Sequence, residues 1–416
     1  TTPPVQGHDL KLTIDAKVQM ATVAALAQGL DAAHHSFDKV TGRNFTGPAA
    51  SAVVENPQDG SLLALATYPV YNPEDFIGGI SQAKYAAYQD PAANQPLIDR
   101  TIQGQYAPGS TFKLVTATAA LQNGLISPTS TYNDVGKIKI GPQVFHNDNF
   151  EVLGTINLTQ AITRSSDIFF NTQGANLWIG YVNGHKYSPT ALQDVADQYG
   201  FNAPTGVALP NEAPGKIPTP ASVKADFQQH PKAFATGDWF TGDSAQTAIG
   251  QFEVLVTPLQ LANAYSTFAN GGTRWQPRLA LDAETPTGKL VQAFPAVKTG
   301  AVTLAAADRQ AMLAGFEGVV NNPTGTAYGV LNTGPLASKD IAGKTGTAQV
   351  NPPKQATSVF TSFAPATNPT FEVTAILEQS GYGAAIAGPV VRQIYDALYG
   401  IPPQPIGQAA VSGSQT

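Results

Sequence analysis

Strand-like runs stand near both ends of this chain, and apolar helical segments fill its middle. A single sheet must then draw its strands from segments far apart in sequence, with a helical region inserted between them. Near the start, 51–57 and 61–67 are apolar and separated by the turn pair Asp59-Gly60. Near the end, 358–364 and 371–378 flank a Pro-bounded turn over 365–369. Apolar periodicity predicts helices over 110–121, 158–174, 191–199, 257–265 and 305–320, and a last one over 387–399 after the strands. An early helix follows a short strand over 10–14, with Thr13 or Asp15 as its cap and Gly29 as its end. Segments 34–47 and 68–107 read as loop, 127–155 as turns and short strands, and 202–243 as a long functional loop or cover. The expected class is mixed α+β. Residues 1–9 read as a linker and 401–416 as a flexible tail.

Composition excludes several functions. Lys plus Arg is 23 against 29 Asp plus Glu, a formal charge of −6, and no basic cluster suggests nucleic-acid binding. There is no cysteine, which rules out disulfides, thiolate metal sites, Fe–S clusters and a cysteine nucleophile. It also fits an exported domain that avoids thiols. No apolar run approaches the ~18 residues of a membrane helix. No signal peptide opens the chain, so a membrane attachment is expected only through an anchor outside it. None of the histidines His8, His34, His35, His146, His185 and His230 sits in an H-E-x-x-H frame or pairs at helical spacing, so no metal site and no cofactor is expected. Spacing alone leaves a Ser-His-Asp triad open, but no G-x-S-x-G elbow supports one. There is no G-x-x-x-x-G-K-[ST] phosphate loop.

S-x-x-K is the informative pattern. Residues three apart on a helix face the same way, so a lysine can sit against a serine hydroxyl and take its proton if burial depresses the lysine pKa. The pattern occurs as Ser36–Lys39, Ser81–Lys84 and Ser110–Lys113. Ordinary Ser and Lys frequencies give about one or two by chance, so context must separate them. Ser36 and Ser81 lie in polar, loop-like stretches. Ser110 follows Pro108-Gly109 and opens a long apolar helix, at the positive end of its dipole. A Ser cap with a solvated lysine would explain Ser110, but not Lys113 inside so apolar a segment.

K-T-G occurs twice, at Lys298-Thr299-Gly300 and Lys344-Thr345-Gly346. The first is read as a surface turn. The second continues into Thr347 and precedes the C-terminal strands; on an edge strand it offers a cation, two hydroxyls and a backbone open to pairing. Between the serine and this strand lies Ser165-Ser166-Asp167, which in isolation is a cap or turn.

Ser110-x-x-Lys113, Ser165-x-Asp167 and Lys344-Thr345-Gly346 follow the motif order of penicillin-recognising serine acyl transferases. The phrases Leu12-Thr13-Ile14-Asp15, Tyr106-Ala107-Pro108-Gly109-Ser110-Thr111-Phe112-Lys113, Ile249-Gly250-Gln251, Thr257-Pro258-Leu259-Gln260 and Gly343-Lys344-Thr345-Gly346-Thr347-Ala348 resemble the transpeptidase domain of class B penicillin-binding proteins, over residues 8–399. The resemblance implies a five-stranded antiparallel sheet flanked by helices, beside an all-helical subdomain, within a domain over 10–400. The sheet part would take 10–107 and 325–400, the helical part 108–324. It implies a peptidoglycan D,D-transpeptidase facing the outside of a bacterial membrane. Its partners would be stem peptides ending in D-Ala-D-Ala, β-lactam antibiotics and a cell-wall glycosyltransferase complex.

Carried over to this chain, Ser110 is the nucleophile, Lys113 its base and Ser165 the relay to the leaving D-alanine. Lys344 supplies positive potential. Thr345, Gly346 and Thr347 bind substrate, the two threonines at its carboxylate, and the Ser110 and Thr347 N–H groups form the oxyanion hole. One departure stands out: the family usually has Asn where this chain has Asp167. A carboxylate accepts hydrogen bonds and donates none, and when ionised it would pair with Lys113 or Lys344. The rival readings are a D,D-carboxypeptidase or β-lactamase on the same fold, or a weakly active β-lactam-binding scaffold or sensor.

Overall fold

The computed structural model describes residues 6–233, 236–350 and 353–407. Residues 1–5 of the expected linker and 408–416 of the expected tail lie outside the described residues. The helices are α1 (Ala16–His34), α2 (Gln82–Gln89), α3 (Lys113–Gln122), α4 (Leu158–Thr163), α5 (Asp167–Val182), α6 (Ala191–Gln198), α7 (Pro220–Gln229), α8 (Thr241–Thr247), α9 (Pro258–Ala269), α10 (Ala306–Asn321) and α11 (Gly388–Leu398). The main sheet has five strands, in the spatial order Ala342–Ala348, Thr357–Ala364, Phe371–Leu377, Ala50–Glu55, Leu62–Tyr68. Every neighbouring pair is antiparallel. The sheet therefore joins the two ends of the chain, and the strand carrying Lys344 forms one edge.

Both faces of this sheet are covered. Along Phe371–Leu377 the side chains alternate between them. Leu377 meets α1 and α11, where a Cβ on Gly29 would lie 2.4 Å from Val390 and 2.9 Å from Leu377. Glu372 points to the opposite face, which α9 covers: Asn263 of α9 donates to Glu55, the cross-strand partner of Glu372. Every residue of α9 is buried, and its Thr257–Gln260 capping box, with Pro258 in the first turn, sets its start.

Several local readings are corrected. Gly29 does not end α1; it is a point of close helix contact inside a helix that Asp15 caps and that runs on to His34. The early strand spans Asp9–Leu12 and pairs with Ala280–Glu284 in a separate three-stranded sheet. Segment 34–47 holds two short paired strands, Phe37–Asp38 and Arg43–Asn44. Segment 68–107 contains α2, and 202–243 contains α7 and the start of α8. The stretch 158–174 is two helices rather than one. Ser165 takes φ +57 between them, and Ser166 caps α5 by accepting from the Phe169 N–H. A serine side chain competing for backbone hydrogen bonds breaks a helix that the apolar pattern alone would continue. Lys298-Thr299-Gly300 lies on an exposed strand, Lys298–Ala301, paired with Thr273–Trp275, and not on a turn.

Candidate active site

Ser110 sits in a 3-10 turn, Gly109–Phe112, that runs directly into α3; the α-helix proper begins at Lys113. Glycines allow this turn to wedge between the Ala342–Ala348 strand and the loop after α8. Gly109 has φ +54, and a Cβ there would stand 2.6 Å from the Thr347 carbonyl oxygen. A Cβ on Gly346 would stand 2.7 Å from the Pro108 oxygen, and one on Gly250 only 2.3 Å from the Gly109 oxygen. The Gly109 N–H donates to the Gly250 carbonyl at 3.1 Å. Tyr265 of α9 donates to the Thr111 carbonyl at 2.8 Å and ties the turn to the core. Ser110 itself is half-buried. No hydrogen bond to its hydroxyl is found among the described residues.

Lys113 is wholly buried. Its Nζ donates to the Ser165 carbonyl at 2.7 Å, the Ser165 Oγ at 3.0 Å and Asp167 Oδ1 at 2.6 Å. An ammonium has three donors, and all three have acceptors. The Phe170 ring centroid lies 5.4 Å from Nζ. Burial pushes the Lys113 pKa down, while the Asp167 charge and hydrogen bond push it back up.

Lys344 is also wholly buried, and its Nζ donates to Ser165 Oγ at 2.8 Å and to its neighbour's carbonyl, Thr345 O, at 3.0 Å. Burial and then the Lys113 charge hold its pKa well below the usual lysine range, with Asp167 opposing. The Ser165 hydroxyl therefore accepts from both lysines, which leaves its own proton free to be donated. The left-handed backbone at Ser165 puts this hydroxyl between the two ammonium groups.

Ser165, Asp167, Lys113 and Lys344 are thus joined in one cluster at the start of α3. The rest of the Lys344 strand borders it. Thr345 Oγ1 is 2.8 Å from Thr326 Oγ1, and the Gly383 N–H reaches Thr347 Oγ1 at 3.5 Å. The alternative serines are placed differently. Ser36 Oγ donates to the Ala32 carbonyl at 2.7 Å, and Ser81 caps α2 while Lys84 pairs with Asp75.

Sequence reasoning missed the residues behind this cluster. Asp134, Asn147 and Ser166 form a buried hydrogen-bonded group at the α4–α5 break. Gln251 reaches the Thr347 carbonyl at 3.4 Å, and Thr326 reaches Thr345. Asp134-Val135-Gly136 carried only a turn signal, and nothing in its spacing tied it to residue 166.

Residues 50–396 match the family model for the penicillin binding protein transpeptidase domain. The chain is 31% identical over 419 residues to the peptidoglycan D,D-transpeptidase MrdA of Salmonella typhimurium, covering 95% of this chain and 60% of that protein. The chain thus spans about three-fifths of the length of the curated relatives it matches. Among solved structures it is similar to Pseudomonas aeruginosa PBP2 in complex with WCK 5153, with TM-score 0.77 and 29% identity over 96% of this chain and 77% of that one. It is also similar to Helicobacter pylori PBP2 in its complex with MreC, with TM-score 0.75 and 27% identity over 94% of this chain and 64% of that one. The five-stranded antiparallel sheet with its flanking helices is the architecture these relatives share.

Proposed function

Since the chain belongs to the penicillin-binding protein transpeptidase family, we propose that it is a peptidoglycan D,D-transpeptidase that crosslinks stem peptides through an acyl-enzyme on Ser110. The observation that carries this reading is the convergence of two wholly buried lysines on one serine hydroxyl, Ser165 Oγ, at 3.0 and 2.8 Å, beside the turn that presents Ser110.

In this reading Lys113 must first lose one of the three protons it now donates. Burial favours that loss. The freed lone pair takes the Ser110 proton as Oγ attacks the carbonyl of the penultimate D-alanine. The N–H groups of Ser110 and Thr347 hold the developing oxyanion, and Lys344 lowers the energy of charge in the cleft. The proton then passes through Ser165 to the leaving D-alanine nitrogen, and the Ser110 ester remains. An amine of a second stem peptide attacks that ester, gives up its proton through the same lysine, and releases Ser110. The Thr345 and Thr347 hydroxyls, now paired within the protein, turn to the substrate's terminal carboxylate, and Gly346, whose missing side chain lets the Pro108 carbonyl pack against the strand, keeps the Ser110 turn beside them.

A β-lactam enters as a D-Ala-D-Ala mimic and stays as an acyl group on Ser110. The site faces the outside of the bacterial membrane, where the polymer is; no helix among the described residues is long and apolar enough to cross a membrane. The partners in this reading are an MreC-like protein, as in the Helicobacter pylori PBP2 complex, and a cell-wall glycosyltransferase complex.

The test is a crosslinking assay with lipid-linked stem-peptide substrate. Crosslinked product from the wild type and none from Ser110→Ala is expected. Release of free D-alanine without any crosslinked product would instead make the protein a carboxypeptidase.

A further inference from the structure

The hydroxyl shared by the two lysines belongs to a residue that cannot hold its own position. Ser165 stands in the break between α4 and α5 with a left-handed backbone, φ +57, a conformation unfavourable for a residue other than glycine. Such strain persists only where surrounding groups over-determine it. Lys113 and Lys344 account for part of that, and the Ser165 N–H donates to the Ile162 carbonyl at 3.2 Å, but these bonds hold only the Ser165 side of the break.

The other side is held by Asp134, which is wholly buried and lies far from the motifs in sequence. Its Oδ2 accepts from the Ser166 hydroxyl at 2.5 Å. Both carboxylate oxygens accept from Asn147 Nδ2, at 2.8 and 2.9 Å, and Oδ1 accepts from the Gly136 N–H at 2.9 Å. The carboxylate thus accepts from three residues, one Asn147 N–H being shared between its two oxygens, and donates none.

Both side-chain partners reach onward into the first turn of α5. Ser166 Oγ accepts from the Phe169 N–H at 3.1 Å, and Asn147 Oδ1 accepts from the Ile168 N–H at 3.2 Å. Asn147 Nδ2 also reaches the Glu151 carbonyl at 2.9 Å, which anchors the group to the opposite strand connection. Two of the orphan N–H groups of α5 are therefore satisfied by side chains that Asp134 orients.

We propose that Asp134 is a positioning residue for the reaction: through Ser166 and Asn147 it clamps the α4–α5 break so that Ser165 stays between Lys113 and Lys344 and Asp167 stays on Lys113. It touches no reacting atom. It acts by fixing where the relay hydroxyl and the Lys113 counter-charge stand, and its kinetic effect rests on the acyl-enzyme reading given above.

The test is Asp134→Asn, with Ser166→Ala and the double variant, each measured for β-lactam acylation and for amide hydrogen exchange. An amide at 134 presents an NH2 to the Asn147 NH2 or to the Ser166 hydroxyl, so the acceptor-only arrangement fails. The first-order acylation constant should fall about 10- to 100-fold, the scale for loss of a group that orients functional ligands. The constant for initial β-lactam binding should change little. Exchange in the peptide spanning Ile168 and Phe169 should rise in both single variants.

If Asp134 acts through Ser166, the double variant should be no slower than the worse single one. Ser166→Ala alone carries the same expectation should Asp134→Asn not fold. Unchanged exchange at the start of α5 would overturn the clamp even in a protein that takes no β-lactam. So would a lowered melting temperature with wild-type acylation per folded molecule.

Discussion

Lys113 Nζ and Asp167 Oδ1 stand 2.6 Å apart, and the lysine is wholly enclosed. This ion pair opposes the role as a base proposed for the lysine, because the carboxylate favours the protonated amine that burial disfavours. Asp148 lies within the same field: burial raises its pKa, and the Asp167 charge raises it further.

Asp167→Asn removes the charge that holds the proton on Lys113. The lysine pKa should fall further, and the acid limb of the acylation profile should move to lower pH. One pKa unit is worth a decade in rate, so acylation below the wild-type limb should rise about tenfold. Wild-type rates should recover as pH rises and Lys113 loses its proton. Asn also brings a hydrogen-bond donor for a substrate carbonyl. A gain that is the same at every pH would assign the effect to that donor and not to the lysine. Second-order acylation constants for both proteins across pH decide between them.

Glu55 and Glu372 face each other across neighbouring strands, wholly buried under α9. Burial raises Glu55 to about 8 from 4.5, and it pushes Glu372 well up as well. A carboxyl whose folded pKa is raised stabilises fully below its unfolded pKa, and that stability is lost as pH rises through the folded value. Folding stability should therefore fall with pH between 4.5 and about 8. Glu55→Gln fixes the neutral form and keeps an acceptor for Asn263 and a polar neighbour for the Ser266 hydroxyl. It should flatten that slope and raise stability at neutral pH by up to about 3 kcal/mol. Urea unfolding at several pH values measures it; a variant with the wild-type slope would contradict the assignment.

The two Lys-Thr-Gly copies make a paired prediction. Lys344→Ala removes a buried cation that donates to Ser165, and acylation should fall by about 10²–10³. Lys298 is on an exposed strand, and Lys298→Ala should leave acylation within about twofold, as surface changes away from a site do. Rates for both variants with one β-lactam are sufficient, and equal losses would refute the placement.

Four of the main-sheet strands were legible because apolar runs bounded by turn signals are short-range features: Asp59-Gly60 and Pro365–Pro369 mark two of their connections, while the pairing of Phe371–Leu377 with Ala50–Glu55 is set by the tertiary fold. Lys113 was legible for the opposite reason, as a charge inside an apolar segment, and Lys344 through its Lys-Thr-Gly-Thr run just before the C-terminal strands. The α4–α5 break was not, because its cause is a side chain, Ser166, capping a helix that hydrophobicity favours on both sides. Asp134 was not, because its partners are brought to it only by the tertiary fold. Gly29 was misread because a glycine that ends a helix and one that lets two helices touch look alike in sequence.

Close glycine contact at the turn that carries Ser110 gives a fourth prediction. Gly250 has φ +69 and leaves no room for a Cβ against the Gly109 carbonyl. Gly250→Ala should cost at least about 1–2 kcal/mol from the left-handed backbone alone and should also displace the turn that carries Ser110. Gly271 has φ +93 and open space around it, so Gly271→Ala should cost stability without that displacement. A comparison of melting temperature and acylation rate in the two variants separates strain from site geometry; equal acylation losses at matched stability would argue against the wedge.

The most direct measurement is the mass of the protein after benzylpenicillin, with the adduct mapped by proteolysis. One adduct per chain on the peptide holding Ser110, absent from Ser110→Ala while that variant keeps its fold, is the result expected. An adduct that persists in Ser110→Ala, or that maps to Ser36 or Ser81, would contradict the assignment of Ser110 as the nucleophile.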